Sequence, residues 1–140
     1  CGDTSDASMY DLVDAVFEGK LNDVDRYVMS VGASASAGRG TLSAVLQHIV
    51  KLQGMASQIT QGSTIDSVVQ APRFGIFFKR RASISMQLRN WDIEALLNAE
   101  EKICDAILQT RQHSDLDEAL VSRALLALGR SARLRDARSN

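Results

Sequence analysis

The stretch WDIEALLNAEEKICDAILQTRQ, residues 91–112, decides the fold. Asp92 stands where an N-cap is wanted, with a carboxylate able to accept from an amide of the first turn. Behind it Ile93, Leu96, Leu97, Ile103, Cys104, Ile107 and Leu108 keep the period of a helix to about Gln112. The segment that follows opens on Asp115-x-x-Glu118, which is patterned like a capping box. It continues as a helix through Leu116, Ala119, Leu120, Ala124, Leu125, Ala127 and Leu128. Acids at its start and Arg130, Arg133, Arg135 and Arg138 at its end suit the helix macrodipole. Residues 135–140 are expected to fray.

Toward the N-terminus the same period recurs. Ile76-Phe77-Phe78 taken alone reads as a strand, but no second strand exists to pair with it. A helix carrying Phe77, Ile84, Leu88 and Trp91 on one stripe is the better reading. Pro72 stops a short helix built on Ile65, Val68 and Val69, and biases Ala71 toward extended backbone. Thr41 is the expected cap of a helix through Leu42, Val45, Leu46, Ile49, Leu52 and Ile59, with Gly54 inside at a cost of about 1 kcal/mol relative to Ala. Residues 32–40, GASASAGRG, read as a flexible loop. Asn22 caps a helix of Val24, Tyr27, Val28 and Val31. Gly19 sits where a left-handed cap would end a first helix over Met9–Glu18, leaving a tight antiparallel pair.

The expected architecture is a single all-α bundle over 1–140, of five long helices and one short one. The core is drawn from Leu12, Val16, Val28, Leu46, Ile49, Leu96, Ile103, Ile107, Leu120 and Ala124. A chain of 140 residues with 45% hydrophobic and 24% charged residues has enough apolar surface for one core and not for two. A net charge of −1 gives no overall bias toward polyanions. Two cysteines, Cys1 and Cys104, cannot build a disulfide framework and fit a reducing compartment. No apolar run approaches the ~18 residues of a membrane span, and no signal peptide is visible. The chain opens at Cys1 rather than Met, which reads as a fragment of something longer.

Little in the sequence carries chemistry. His48 lies one residue off its helix stripe and, like His113, has no neighbouring ligand pair, so both read as structural or surface residues. Cys104 reads as a buried, inert thiol. No C-x-x-C or H-x-x-x-H spacing suggests zinc. Gly38-Arg39-Gly40-Thr41 could offer amides to an anion, but it lacks the Lys-Ser/Thr of a nucleotide-binding loop. Glu100-Glu101 point apart on a helix and read as solvated surface.

Charge is unevenly spread. Seven acids (Asp3, Asp6, Asp11, Asp14, Glu18, Asp23, Asp25) precede Arg26. Between Asp66 and Asp92 there is no acid, while Arg73, Lys79, Arg80, Arg81 and Arg89 supply five bases. Such a run can face phosphates, an acidic protein surface or solvent. Phe78, Val50, Met55, Leu125 and Met29 are apolar and stand off the main stripes, so they are candidates for surface left over for a partner.

Three stretches together, MYDLVDAVFEGKLNDVDRYV, FFKRRASISMQLRNWDIEALLNAEEKICDAIL and ALVSRALLALGRSAR, resemble the C-terminal helical domain of the delta subunit of the bacterial DNA polymerase III clamp loader. The likeness covers nearly the whole chain and lies in joint spacing, above all from Phe77-Phe78-Lys79-Arg80-Arg81 to Trp91-Asp92. It implies a collar (post-AAA+ oligomerization) domain, preceded in the full protein by AAA+-type domains. It also implies a bacterial cytoplasmic, non-catalytic subunit of a DNA polymerase holoenzyme that works in DNA replication and needs no cofactor of its own. Its partners would be the other loader subunits through the collar, and the sliding clamp and primed DNA through the full-length protein, with no membrane. Phe78, Arg73, Lys79, Arg80, Arg81 and Arg89 form the candidate interaction surface. The competing expectation is a freestanding helical nucleic-acid binder that uses residues 73–89.

Overall fold

The computed structural model of the chain describes residues 2–31 and 35–139. Seven α-helices stand among them: α1 (Gly2–Glu18), α2 (Leu21–Val31), α3 (Ala35–Thr60), α4 (Ile65–Gln70), α5 (Arg81–Asn90), α6 (Ile93–Gln112) and α7 (Asp117–Ser139). Short 3-10 turns occupy Pro72–Phe74, Phe78–Arg80 and Ser114–Leu116, and none of the described residues is in a strand. The all-α class therefore holds, with seven helices, one for each of the seven segments read above and one more than the expected five long and one short.

The fifth helix starts at Arg81 rather than Phe77, for a local reason. Gly75 takes the left-handed conformation (φ 61°, ψ 36°) and Phe77 is extended (φ −61°, ψ 138°), so no helix passes through Ile76–Phe78. The stripe expected to start at Phe77 begins at Ile84, and Phe77 is 56% exposed. Ala71 is extended (φ −64°, ψ 128°), as the following proline requires.

Helix ends also differ from expectation. α1 begins at Gly2 instead of Met9, and α3 at Ala35 instead of Thr41. Thr41 is thus an interior, buried residue and not a cap. Residues 35–40 of the expected loop are helical, since Ala35 and Ala37 have high helix propensity and extend a helix already nucleated by its packed half. Residues 32–34 lie outside the described set. α7 starts two residues after Asp115 and stays helical to Ser139, through the described part of the expected fray, with Asn90 Nδ2 donating to Asp136 Oδ1 at 3.1 Å near its end.

Asp92 caps α6 as the sequence indicated, its Oδ1 accepting from the Ala95 amide at 2.8 Å. Thr64 does the same for α4 through the Ser67 amide. The α1–α2 turn depends on Gly19, which has φ 79°. A Cβ on Gly19 would stand 2.6 Å from the backbone nitrogen of Arg133, so α7 crosses the turn too closely for any side chain. Gly129 repeats the device one turn earlier on α7, where a Cβ would meet Leu21 Cδ2 at 2.8 Å.

α3 lies along α6, and α7 packs against α1, α2, α3 and α6. The core between them holds Leu12, Val16, Phe17, Leu42, Ile49, Leu52, Ile84, Trp91, Leu96 and Ile103. Val28, Leu46, Ile107 and Ala124 of the expected core are only partly buried at its margin. Leu120 is also half-buried. Met55 and Leu125, expected on the outside, are fully inside.

Candidate interaction surface

The basic segment is held out from the bundle by anchors on both sides. Ile76 is buried at its N-terminal side. On the other side Arg80 turns inward, and its amide donates to the Phe77 carbonyl at 2.8 Å. Arg80 Nε and Nη2 donate to the two oxygens of Asp14 at 2.9 and 2.8 Å, a bidentate fork of the strong kind. The guanidinium also lies 4.4 Å from the centroid of the Tyr10 ring. Between these anchors Phe77 and Phe78 project outward, 56% and 62% exposed, with ring centroids 4.8 Å apart.

Beneath the segment runs a polar chain joining α1, α3 and α5. Gln87 is fully buried, and its Nε2 donates to Asp14 Oδ1 at 3.0 Å and Ser83 Oγ at 2.9 Å. That orientation leaves Gln87 Oε1, an acceptor, facing His48 Nε2 at 2.7 Å. His48 must therefore carry its proton on Nε2. Ser83 Oγ in turn donates to Glu18 Oε1 at 2.7 Å, and Glu18 Oε2 pairs with Lys20 Nζ at 3.0 Å. The hydrogen bond and charge of Glu18 raise the Lys20 pKa above its usual value. Burial outweighs the opposing effects of Gln87 and Asp14 at His48, so its pKa falls to about 4. Phe17 packs on the His48 ring at 4.9 Å and on Trp91 at 5.1 Å, and Trp91 Nε1 donates to the Phe17 carbonyl.

This geometry sorts the sequence candidates. Arg73, Lys79, Arg81, Arg89 and Phe78 are exposed. Arg80 is not a surface charge: its side chain is 15% exposed and committed to Asp14, because an inward guanidinium at that position finds a carboxylate to pair with. The acid-poor composition of the segment gave no hint of a partner 66 residues away on α1.

His48 is structural, and its partner is an amide rather than a carboxylate or nucleophile. Among the described residues no group of three His, Cys, Asp or Glu side chains could hold a metal ion. Gly38–Thr41 lie within α3 and do not precede it, so their amides are not the free donors of a helix start. None of the described helices is long and apolar enough to cross a membrane.

Cys104 is exposed, contrary to the expected burial, and it marks a feature the sequence period obscured. The outer side of α6 carries exposed apolar side chains around an exposed Glu101. Leu96, Ala99, Ile103 and Ala106 are buried, while Leu97 and Leu108 are 53% and 51% exposed. Leu97, Cys104 and Leu108 are seven and four residues apart, so they line one outer stripe of the helix. The period alone could not separate this stripe from the inner one, because the two sit side by side in sequence.

No protein-family model, no curated protein and no solved structure matches the chain.

Proposed function

We propose that this chain is a non-catalytic assembly module of the clamp-loader collar type, belonging to the delta subunit of a bacterial DNA polymerase III clamp loader. In this reading it packs with the corresponding helical domains of the other subunits, so that the complex can load the sliding clamp onto primed DNA. The observation that carries it is the outer stripe of α6, where Leu97, Cys104 and Leu108 lie exposed around Glu101, opposite a fully packed inner face. A helix with one surplus apolar stripe gains by burying it against another helix. Completing the burial of two half-exposed leucines contributes about 1 kcal/mol each. Val50 on α3, 51% exposed, adds to the surplus.

The exposed Phe77–Phe78 pair with Arg73, Lys79 and Arg81 supports a DNA-facing edge in the same assembly. Cations meet phosphates and aromatic rings stack on unpaired bases. The same patch favours the second reading, a freestanding nucleic-acid binder. One experiment separates them. The purified protein is mixed with the remaining loader subunits on a sizing column, and titrated with primed DNA at two salt concentrations. The collar reading expects a complex that Leu97→Asp with Leu108→Asp disrupts and Arg73→Glu with Arg81→Glu weakens only modestly, most at low salt. Tight, salt-sensitive DNA binding by the chain alone, without affinity for loader subunits, would replace it by the second reading.

A further inference from the structure

A separate surface runs along the outside of α7. Between Glu118 and Asp136 this helix carries four arginines, Arg123, Arg130, Arg133 and Arg135, and no acid. Arg123, Ala127, Arg130 and Leu134 are spaced four, three and four residues apart, so they share one face, and all four are exposed. Arg133 is exposed beside Arg130, where its backbone passes the Gly19 turn. Arg135 leaves this row, since its guanidinium lies over the Trp91 ring at 5.0 Å. At the other end Lys102 of α6 stands with Arg123 on the rim of one cleft, so the positive row continues onto the neighbouring helix.

The helix macrodipole does not account for this row. Its effect falls off within the last turn. α7 runs to Ser139, so Arg123 and Arg130 stand sixteen and nine residues before its end. Local pairing does not account for it either. No carboxylate among the described residues forms an ion pair with Lys102, Arg123, Arg130 or Arg133, whereas Lys20 and Arg80 both have theirs. The one acid lining that cleft, Asp105, accepts from Gln109 Nε2 at 3.2 Å. In a chain whose net charge is −1, this row is a local excess.

We propose that the outer face of α7 binds the phosphate backbone of duplex DNA without reading its sequence. From Arg123 to Arg133 the row extends about 15 Å along the helix axis, which matches the rise of about four phosphates on one strand. A protein partner is held by large apolar or aromatic anchors at the centre of its interface, and a membrane surface by inserted Leu, Phe or Trp. The centre of this face is Ala127, and its one large apolar residue, Leu134, lies toward the end of the row. A single strand is held by rings that stack on its bases, and α7 contains no aromatic residue. Charge is what this face offers, and charge suffices for a duplex backbone. It is a different surface from the Phe77–Phe78 edge, which does carry rings, and from the Leu97–Cys104–Leu108 stripe, so its occupancy does not depend on clamp-loader membership.

The test is the fluorescence anisotropy of a labelled DNA duplex of about 20 base pairs, titrated with the protein at about 50 and 200 mM salt. Binding should be weak, with a Kd of about 10⁻⁴–10⁻⁶ M at physiological salt, and equal for duplexes of different sequence. Three to four phosphate contacts give a log–log salt slope of about −3, so affinity should fall roughly 40- to 150-fold between the two salt concentrations. Arg123→Ala with Arg130→Ala, both at exposed positions, should make that slope shallower by about 2 and weaken binding about tenfold or more at the lower salt, with an unchanged circular dichroism spectrum. Arg73→Ala with Arg81→Ala should leave the duplex slope as it is, which separates this face from the edge that carries Phe77 and Phe78. An unchanged slope in Arg123→Ala with Arg130→Ala, or no binding at the lower salt, would overturn the proposal. Tighter binding to phosphatidylserine vesicles, or to an RNA duplex of the same length, would overturn it as well.

Discussion

Lowering the pH from 7.5 to 5 should destabilise this protein by about 2 kcal/mol through one residue, His48. The ring is buried, and its pKa lies at about 4 against 6.5 for an unhindered histidine. The unfolded chain therefore binds a proton that the folded chain refuses throughout the interval between those values. Stability from the neutral ring is complete above pH 6.5 and is lost as pH falls toward 4. Over the whole window the loss is on the order of 3 kcal/mol, at about 1.36 kcal/mol per pKa unit. Stopping at pH 5 takes about 2 kcal/mol of it and stays above the ordinary carboxylate range. The structure supplies the reason. Gln87 Nε2 is committed to Asp14 and Ser83, so its Oε1 accepts the single proton of His48, and a second proton on the ring would be buried as an added charge. Urea unfolding followed by circular dichroism tests this directly. At a slope of about 2 kcal/mol per M the midpoint should fall by about 1 M between pH 7.5 and 5. His48→Leu should start less stable, because it strands the Gln87 oxygen, but should show little of that pH dependence. A midpoint equally pH-sensitive in His48→Leu would refute the reasoning.

Other perturbations follow from the packing. Ile103→Ala, at a fully buried site, should cost about 2–5 kcal/mol in the same unfolding assay. Gly19→Ala should be markedly more destabilising than Gly62→Ala. Both residues have positive φ, but only at Gly19 does a Cβ strike backbone, at 2.6 Å, while Gly62 faces open space. Arg80→Ala should cost about 1–3 kcal/mol by stranding Asp14, whereas Arg81→Ala, at an exposed position, should stay within about 0.5 kcal/mol.

The helices were legible because their periodicity and caps are local. The Asp92 cap, the Gly19 turn and the extended Ala71 all depend on residues a few positions apart. What escaped the sequence is what depends on distance along the chain. Arg80 looks like one more surface base until α1 brings Asp14 to it. His48 looks idle until Gln87 arrives from α5. The same limit applies to faces. Leu97, Cys104 and Leu108 share the apolar period with Leu96, Ile103 and Ile107, and only the direction of the core tells inside from outside. Met55 and Leu125 erred the other way, because long helices touched by neighbours on two sides bury more than one stripe.

The central claim is that the outer stripe of α6 is an assembly face, and Cys104 allows it to be measured in place. The thiol is exposed and stands between Leu97 and Leu108. With Cys1 replaced by serine, alkylation of Cys104 by N-ethylmaleimide can be timed on the free protein and again after mixing with the other clamp-loader subunits. The account predicts that assembly slows alkylation by about tenfold or more, and that Leu97→Asp with Leu108→Asp restores the free rate. An unchanged rate in a complex shown by sizing to be fully formed would contradict it.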